Sequence, residues 1–202
     1  PYIKTSDISI ANLETVFAGS EAGYAGYPLF NCPEQLAGSL KQVLEMDVVT
    51  TANNHSLDKR KSGLDSTIDF LDAAGISHTG TYKNEEDSKK ILIKEVKGIK
   101  LAFISYTYGT NGIDPPKGME YAVNLLKKDK IKEDAQKAKE QGADYCIALV
   151  HWGVELEQKP NKEQKDLAEW ILSNTSVNMI IGNHPHVVQP IDELKVTFEG
   201  KE

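Results

Sequence analysis

Ile180-Ile181-Gly182-Asn183-His184-Pro185-His186-Val187-Val188-Gln189 is an apolar, strand-like run that ends in a glycine and then releases two imidazoles separated by one proline. In an extended segment residues i and i+2 face the same side. Pro185 stiffens the backbone between them and removes no needed donor if it lies in a loop. Two neutral imidazoles held past a strand end present nitrogen ligands to one or two divalent metals. The plainer role is that of surface histidines in a turn. Matching ligands elsewhere in the chain decide between the two.

Upstream of this run the pattern predicts a strand at 177–181 and a helix over 162–173, with Leu167, Ile171 and Leu172 inward. Before them an apolar strand over 144–150 runs into His151-Trp152-Gly153 and a loop through Pro160. Strand–helix–strand units of this kind predict an α/β fold with mixed sheets. A lysine-rich helix is expected over 124–141, with Ile131, Ala135 and Ala138 inward and Gly142 as its stop. Two β-rich runs, 91–96 and 99–106, flank Lys97-Gly98 and predict a hairpin. Further back lie a helix over 62–74 (Leu64, Ile68 and Leu71 on one stripe, Gly75 as C-cap) and one from Pro33 with Leu36, Leu40, Val43 and Leu44 together. Short strands are expected at 8–11, 47–50 and 76–79. Residues 19–33 and 106–117 read as long loops, and loops of that length tend to be functional. A last strand is expected at 194–198, with a turn at Glu199-Gly200-Lys201.

The 202 residues suffice for one domain with a sizeable core. A hydrophobic fraction of 40% and a charged fraction of 26% are those of an ordinary globular chain. With a net charge of −7 and interspersed signs, the sequence predicts no nucleic-acid partner. No apolar run approaches the roughly 18 residues a spanning helix needs, and no signal peptide is visible. The chain begins at Pro1, not Met, and so reads as trimmed. Two cysteines make no disulfide framework: Cys146 is expected as a buried thiol and Cys32 as a free one in a loop.

Polar groups recur where strands give way to loops: Asn12 with Glu14, Asn53-Asn54-His55, His151, and His184 with His186. That is where ligands collect in α/β folds. Four of the five histidines fall at such ends; His78, inside a short strand, is expected to be structural. A set of His, Asn and Glu without cysteine suits Mn, Fe, Zn or Ni, and two such ions about 3.5–4 Å apart activate a water and clamp a phosphoryl oxygen. Each position also has a plainer role. Asn53 and Asn54 suit turns, Glu14 can cap a helix, and Trp152 packs the site wall. Glu155 and Glu157 are loop acids, with Glu155 near enough in sequence to support His151. Asp58 either orients His55 or caps the segment after it.

Asn12-Leu13-Glu14, Thr51-Ala52-Asn53-Asn54-His55, His151-Trp152-Gly153 with Glu155, and the segment Gly182 to Gln189 resemble the CapA-type poly-γ-glutamate capsule biosynthesis family, relatives of the calcineurin-like metallophosphoesterases. The resemblance runs in order from about Ser6 to Gln189. It implies a four-layer α/β-β/α sandwich formed by a single domain over 1–202, incomplete at both ends, because the family's opening Gly-Asp motif and closing strands are not in this sequence. It implies metal ligation by Glu14 (the bridging carboxylate), Asn54, His151, His184 and His186. It implies general-acid catalysis by His55, with Asn12, Asn53 and Glu155 in supporting roles; Asn12 is an alternative to Glu14 as the bridge.

The implied cofactor is one or two divalent metals, absent if the missing motif supplies a needed ligand. The implied function is a metal-dependent phosphoesterase-like activity in the synthesis of a cell-surface polymer, in which an activated water attacks phosphorus and His55 protonates the leaving oxygen. Two alternatives are a non-catalytic scaffold or polymer-binding subunit, and a metal-dependent γ-glutamyl amide hydrolase. Expected partners are an anionic polymer or a small phosphorylated substrate, and a membrane-bound synthesis complex. The expected location is extracytoplasmic.

Overall fold

The computed structural model describes residues 3–198. Its strands form two sheets. The first holds β1 (Ile10–Asn12), β2 (Val48–Thr50) and β3 (Ser77–Thr79), parallel and in that order. The second has the order β4 (Leu92–Val96), β5 (Ile99–Thr107), β6 (Tyr145–His151) and β7 (Met179–Asn183). Within it the β4–β5 hairpin is antiparallel and the two later pairings are parallel. Four helices accompany them: α1 (Gln35–Gln42), α2 (Arg60–Ala74), α3 (Lys128–Glu140) and α4 (Lys162–Asn174).

Strand alternation assigns every layer. Val48 of β2 meets Phe103, Ile147 and Leu149 of the second sheet, with Ile10 and Leu101 at the margin. The two sheets therefore face one another. The residues between these, Ala102, Ile104 and Tyr106 on β5 and Cys146, Ala148 and Val150 on β6, point outward into a core with Ile131, Ala135 and Ala138 of α3 and Ile171 of α4. On the other side Ala11 and Val49 pack with Leu36, Ala37 and Leu40 of α1 and Leu71 of α2. This is the expected four-layer α/β-β/α arrangement. Each large apolar side chain fully buried between layers contributes about 1.5–3 kcal/mol.

Towards the strand ends the inter-sheet layer turns polar. Thr50 and Ser105 join hydroxyls across the sheets, and Thr51 bonds Thr81 at 2.7 Å. Because all strands but β4 run the same way, their C-terminal ends collect at one edge.

Several elements differ from expectation. α1 stops at Gln42, which leaves Val43 and Leu44 exposed. α3 starts at Lys128, four residues later than its pattern suggests. The reason is tertiary: Asn124 donates its backbone N–H to Gly80 and Leu125 bridges Thr107, so the segment is held extended. No strand forms over 194–198, where only Phe198 makes a bridge. The turn expected at Glu199–Lys201 lies outside the described residues. Gly75 adopts φ 69° at the end of α2, as a left-handed C-cap requires.

Candidate metal centre

At the end of β1, Asn12 donates its side-chain N–H to Glu14 Oε2 at 2.8 Å and so aims the carboxylate. Asn53, 1% exposed, is wholly engaged inside the protein. Its Nδ2 donates to the Leu13 carbonyl at 2.7 Å and to Asn12 Oδ1 at 3.3 Å. Its Oδ1 accepts the His55 backbone N–H at 3.0 Å, and its own N–H donates to Ser56 Oγ at 2.9 Å. Asn53 thus ties the β1 end to the β2 end and offers nothing to a ligand directly.

His55 sets its Nδ1 2.7 Å from Asp58 Oδ2. The same oxygen accepts the Phe30 backbone N–H at 2.6 Å, and the Phe30 ring lies 4.3 Å from the imidazole. Asp58 therefore orients His55. It does not cap α2, whose first turn has no side-chain cap. The other oxygen, Asp58 Oδ1, is buried and has no hydrogen-bond partner.

His151, 0% exposed, closes β6 on the inner face, in the same alternation as Ile147 and Leu149. Its Nδ1 meets Asn183 Oδ1 at the end of β7, and its Nε2 lies 2.8 Å from Asn54 Oδ1. Burial, the largest cause, pushes its pKa down to about 3, against a smaller upward pull from Asn183. The ring is therefore neutral and carries one proton. A neutral ring has one N–H, so of the two amide oxygens it faces, Asn183 Oδ1 and Asn54 Oδ1, only one receives a hydrogen bond and the other stands against a ring lone pair. The Asn54 amide nitrogen is turned to Asn111 Oδ1 at 3.3 Å. A ring nitrogen and an oxygen meeting as two acceptors is the arrangement of atoms that share a cation. Glu14 Oε1 stands 3.7 Å from the same Nε2 and 3.6 Å from His186 Nε2, between the two imidazoles.

The histidine pair itself is not extended. His184 has φ 101° and His186 φ 56°, so β7 ends in a tight bend that brings both rings toward Glu14. The ring centroids are 6.2 Å apart. Glu14, His184 and His186 each offer one ligand atom, all within 4.8 Å of one another. His184 Nδ1 is buried without a partner. Burial lowers the His184 pKa, opposed by Glu155, and burial raises that of Glu14, opposed first by His186. Non-glycine residues at positive φ cost on the order of 1–3 kcal/mol and persist where surroundings enforce them.

Those surroundings are visible. Gly182 lets the Trp152 indole pack against its backbone; a Cβ there would lie 2.8 Å from Nε1. Trp152 itself belongs to the helix-side core. The Leu156 N–H donates to the Pro185 carbonyl at 2.8 Å, and Gln189 Nε2 donates to the Glu157 carbonyl at 2.8 Å. Gln164, the capping-box partner of Asn161 at the start of α4, donates to Gln189 Oε1 at 3.1 Å.

All expected ligand positions, Glu14, Asn54, His151, His184 and His186, meet at this edge, and an orphaned nitrogen with converging nitrogen and oxygen lone pairs fits one or two divalent cations. Glu155 is the exception among the supporting residues. It is exposed, and the partners of His151 are Asn183 and Asn54, so Glu155 acts on His184 only through its charge. His78 bonds Asp72 at 3.1 Å on the helix side, in a structural role. Two further residues of the site are given no role by the sequence. Tyr108 stacks on His151 at 6.2 Å and tilts against His184 at 4.9 Å. Asn183 sets its side-chain oxygen against His151 Nδ1. Both obey the strand-end rule that located the histidines.

Two facing sheets flanked by helices, with a polar centre at their C-terminal edge, form a four-layer α/β-β/α sandwich. The crystal structure of the calcineurin-like phosphoesterase YfkN from Bacillus subtilis superposes with a TM-score of 0.52 at 22% identity, over 77% of this chain and 49% of that one. The likeness concerns the fold alone. The model of the bacterial capsule synthesis protein PGA_cap family matches residues 1–198, and the chain belongs to that family. It is 28% identical to the capsule biosynthesis protein CapA of Bacillus anthracis over 96% of this chain and 49% of that protein. It is 27% identical to the PGA biosynthesis protein CapA of Bacillus subtilis (strain 168), over 76% and 41% respectively. The chain thus spans about half the length, or less, of these curated relatives.

Proposed function

We propose that this domain is a metal-dependent phosphoesterase acting in the synthesis or modification of an anionic cell-surface polymer, with an extracytoplasmic site of action. Among the described residues no helix is long and apolar enough to cross a membrane. The observation that carries the reading is the convergence of His151 Nε2, Asn54 Oδ1 and Glu14 Oε1 near the His184 ring, whose buried Nδ1 has no partner. Glu14, Asn54, His151, His184 and His186 hold the cation or cations, and Mn, Fe, Zn and Ni all suit this donor set. When bound, such a cation activates water and neutralises phosphoryl charge.

The chain's own groups do the rest. Asn12 and Asn53 lock the β1 and β2 ends so that Glu14 and His55 are presented together. Asp58 holds Nδ1 of His55, which leaves Nε2 as the atom that delivers a proton to the departing oxygen. Tyr108 covers His151 and His184 and limits water around them.

The test is metal analysis of the intact protein together with hydrolysis of aryl and alkyl phosphoesters under Mn. His184→Ala is expected to lower metal content and rate together. His55→Ala is expected to keep the metal and lose rate, most for alkyl leaving groups. Tight metal binding without turnover of any phosphoester would sink the catalytic reading and leave a polymer-binding subunit of a synthesis complex. Cleavage of γ-glutamyl amides alone would replace phosphorus by a carbonyl as the target.

A further inference from the structure

Asn54 is buried with its amide oxygen facing His151 Nε2, but an amide has two ends of nearly the same shape. Turned by half a rotation, the same side chain would show the metal centre an N–H, which cannot serve as a ligand. The choice is made on the far side of the amide. There Asn54 Nδ2 donates to Asn111 Oδ1 at 3.3 Å.

Asn111 is carried to this place by the loop that follows β5, which is anchored on both sides of it. Tyr108 donates its backbone N–H to the His151 carbonyl at 3.0 Å, and Thr107 Oγ1 donates to the Gly109 carbonyl at 2.9 Å. The Ile113 N–H donates to the carbonyl of the buried Thr110 at 2.9 Å, and the Ile113 side chain packs on the cluster that holds Leu57 and Leu64. Between these anchors Asn111 has φ 49°, a region that asparagine enters more readily than most residues. Asn111 is itself exposed, so one neutral hydrogen bond there adds little to the stability of the fold. Its effect falls on which atom Asn54 presents.

We propose that Asn111 is a positioning residue of the metal centre: it receives the Asn54 N–H and thereby commits the Asn54 oxygen to the cation. The bond matters most when the centre is filled. Once Asn54 Oδ1 and His151 Nε2 both serve a cation, no hydrogen bond joins them, and Asn111 is left to hold the amide plane. The role rests on the reading of Asn54 as a ligand and requires nothing of the substrate or the reaction.

The experiment measures Zn affinity of the intact protein by competition with a chromophoric chelator, and the visible absorption of the Co-loaded protein. Asn111→Gly removes the acceptor while tolerating the positive φ. It is expected to weaken Zn binding about 10–100-fold, as loss of a partner that orients a ligand does, and to change the Co spectrum. Asn111→Asp keeps an acceptor oxygen and is expected to restore both affinity and spectrum. In an Asn54→Asp background both ends of the side chain are oxygens, so Asn111→Gly is expected to cost no affinity there. The role is overturned if Asn111→Gly binds Zn like the parent protein, if Asn111→Asp is as weak as Asn111→Gly, or if the loss persists in the Asn54→Asp background, which would make Asn111 a support of the loop alone. A parent protein that binds no cation would overturn this role together with the metal reading. Cation binding without turnover would sink the phosphoesterase and leave the role of Asn111 standing.

Discussion

At the end of β2 every polar atom of Asn53 is engaged within the protein, whereas at the end of β7 the buried Nδ1 of His184 has no protein partner. The backbone obeys the same division. The first arm is stapled by side-chain bonds to Leu13, Asn12 and His55; the second bends through positive φ at His184 and His186. Asn53 is fully satisfied as folded, whereas the histidine arm is strained and keeps an unsatisfied ligand nitrogen. His151 stands between them and touches both, through Asn54 on one side and Asn183 on the other. A ligand that binds only the native state stabilises it by mass action, so the cation is expected to secure the second arm far more than the first.

The sharpest break in this contrast is His151→Ala, which is expected to remove metal binding and hydrolysis altogether. It also removes the ring's single donated hydrogen bond, to Asn183 or Asn54, at about 1–3 kcal/mol, read as a fall in the urea midpoint of the metal-free protein. His55→Ala is expected to lower kcat by about 10²–10⁴-fold with metal content intact, because its ring is held by Asp58 and not by the ligand set. Asn183→Ala is expected to weaken metal affinity about 10–100-fold, as loss of a partner that orients a ligand does; an unchanged affinity would mean that Asn183 does not set the His151 tautomer.

The smallest expected effect is the pH dependence of the metal-free fold. His151 has its pKa lowered from 6.5 to about 3, and His184 is lowered as well, both by burial. Each binds fewer protons folded than unfolded, so stability is full above pH 6.5 and is lost as pH falls through that window. Glu14, raised above 4.5 by burial, runs the other way, since protonation relieves its buried charge. The two histidines outweigh it between pH 7 and 5. The urea midpoint should fall over that interval, and His151→Gln should flatten the fall.

The sequence made the strand ends legible because apolar runs terminate abruptly in His and Asn; the four layers came from the family resemblance, and the residue pattern alone reached only an α/β fold with mixed sheets. It did not make the bend at His184 legible. Pro185 between two histidines suggests an extended pair, and only the packing of Trp152 on Gly182 and the bond from Leu156 reveal why the backbone turns. Tyr108 was hidden because a lone loop tyrosine has no spacing to mark it. The start of α3 was hidden because Asn124 fits a helical pattern and yet bonds Gly80 at the end of the first sheet. The segment at 194–198 alternates like a strand, and alternation says nothing about whether a partner edge receives it.

The bond from the Leu156 amide to the Pro185 carbonyl has a use of its own. Leu156 is 73% exposed, so that proton meets solvent as soon as the bond opens. Its rate of exchange with deuterium is a clock on the histidine bend, legible by NMR without touching either histidine. Slowing of that clock on addition of a cation would time how long the bend stays shut.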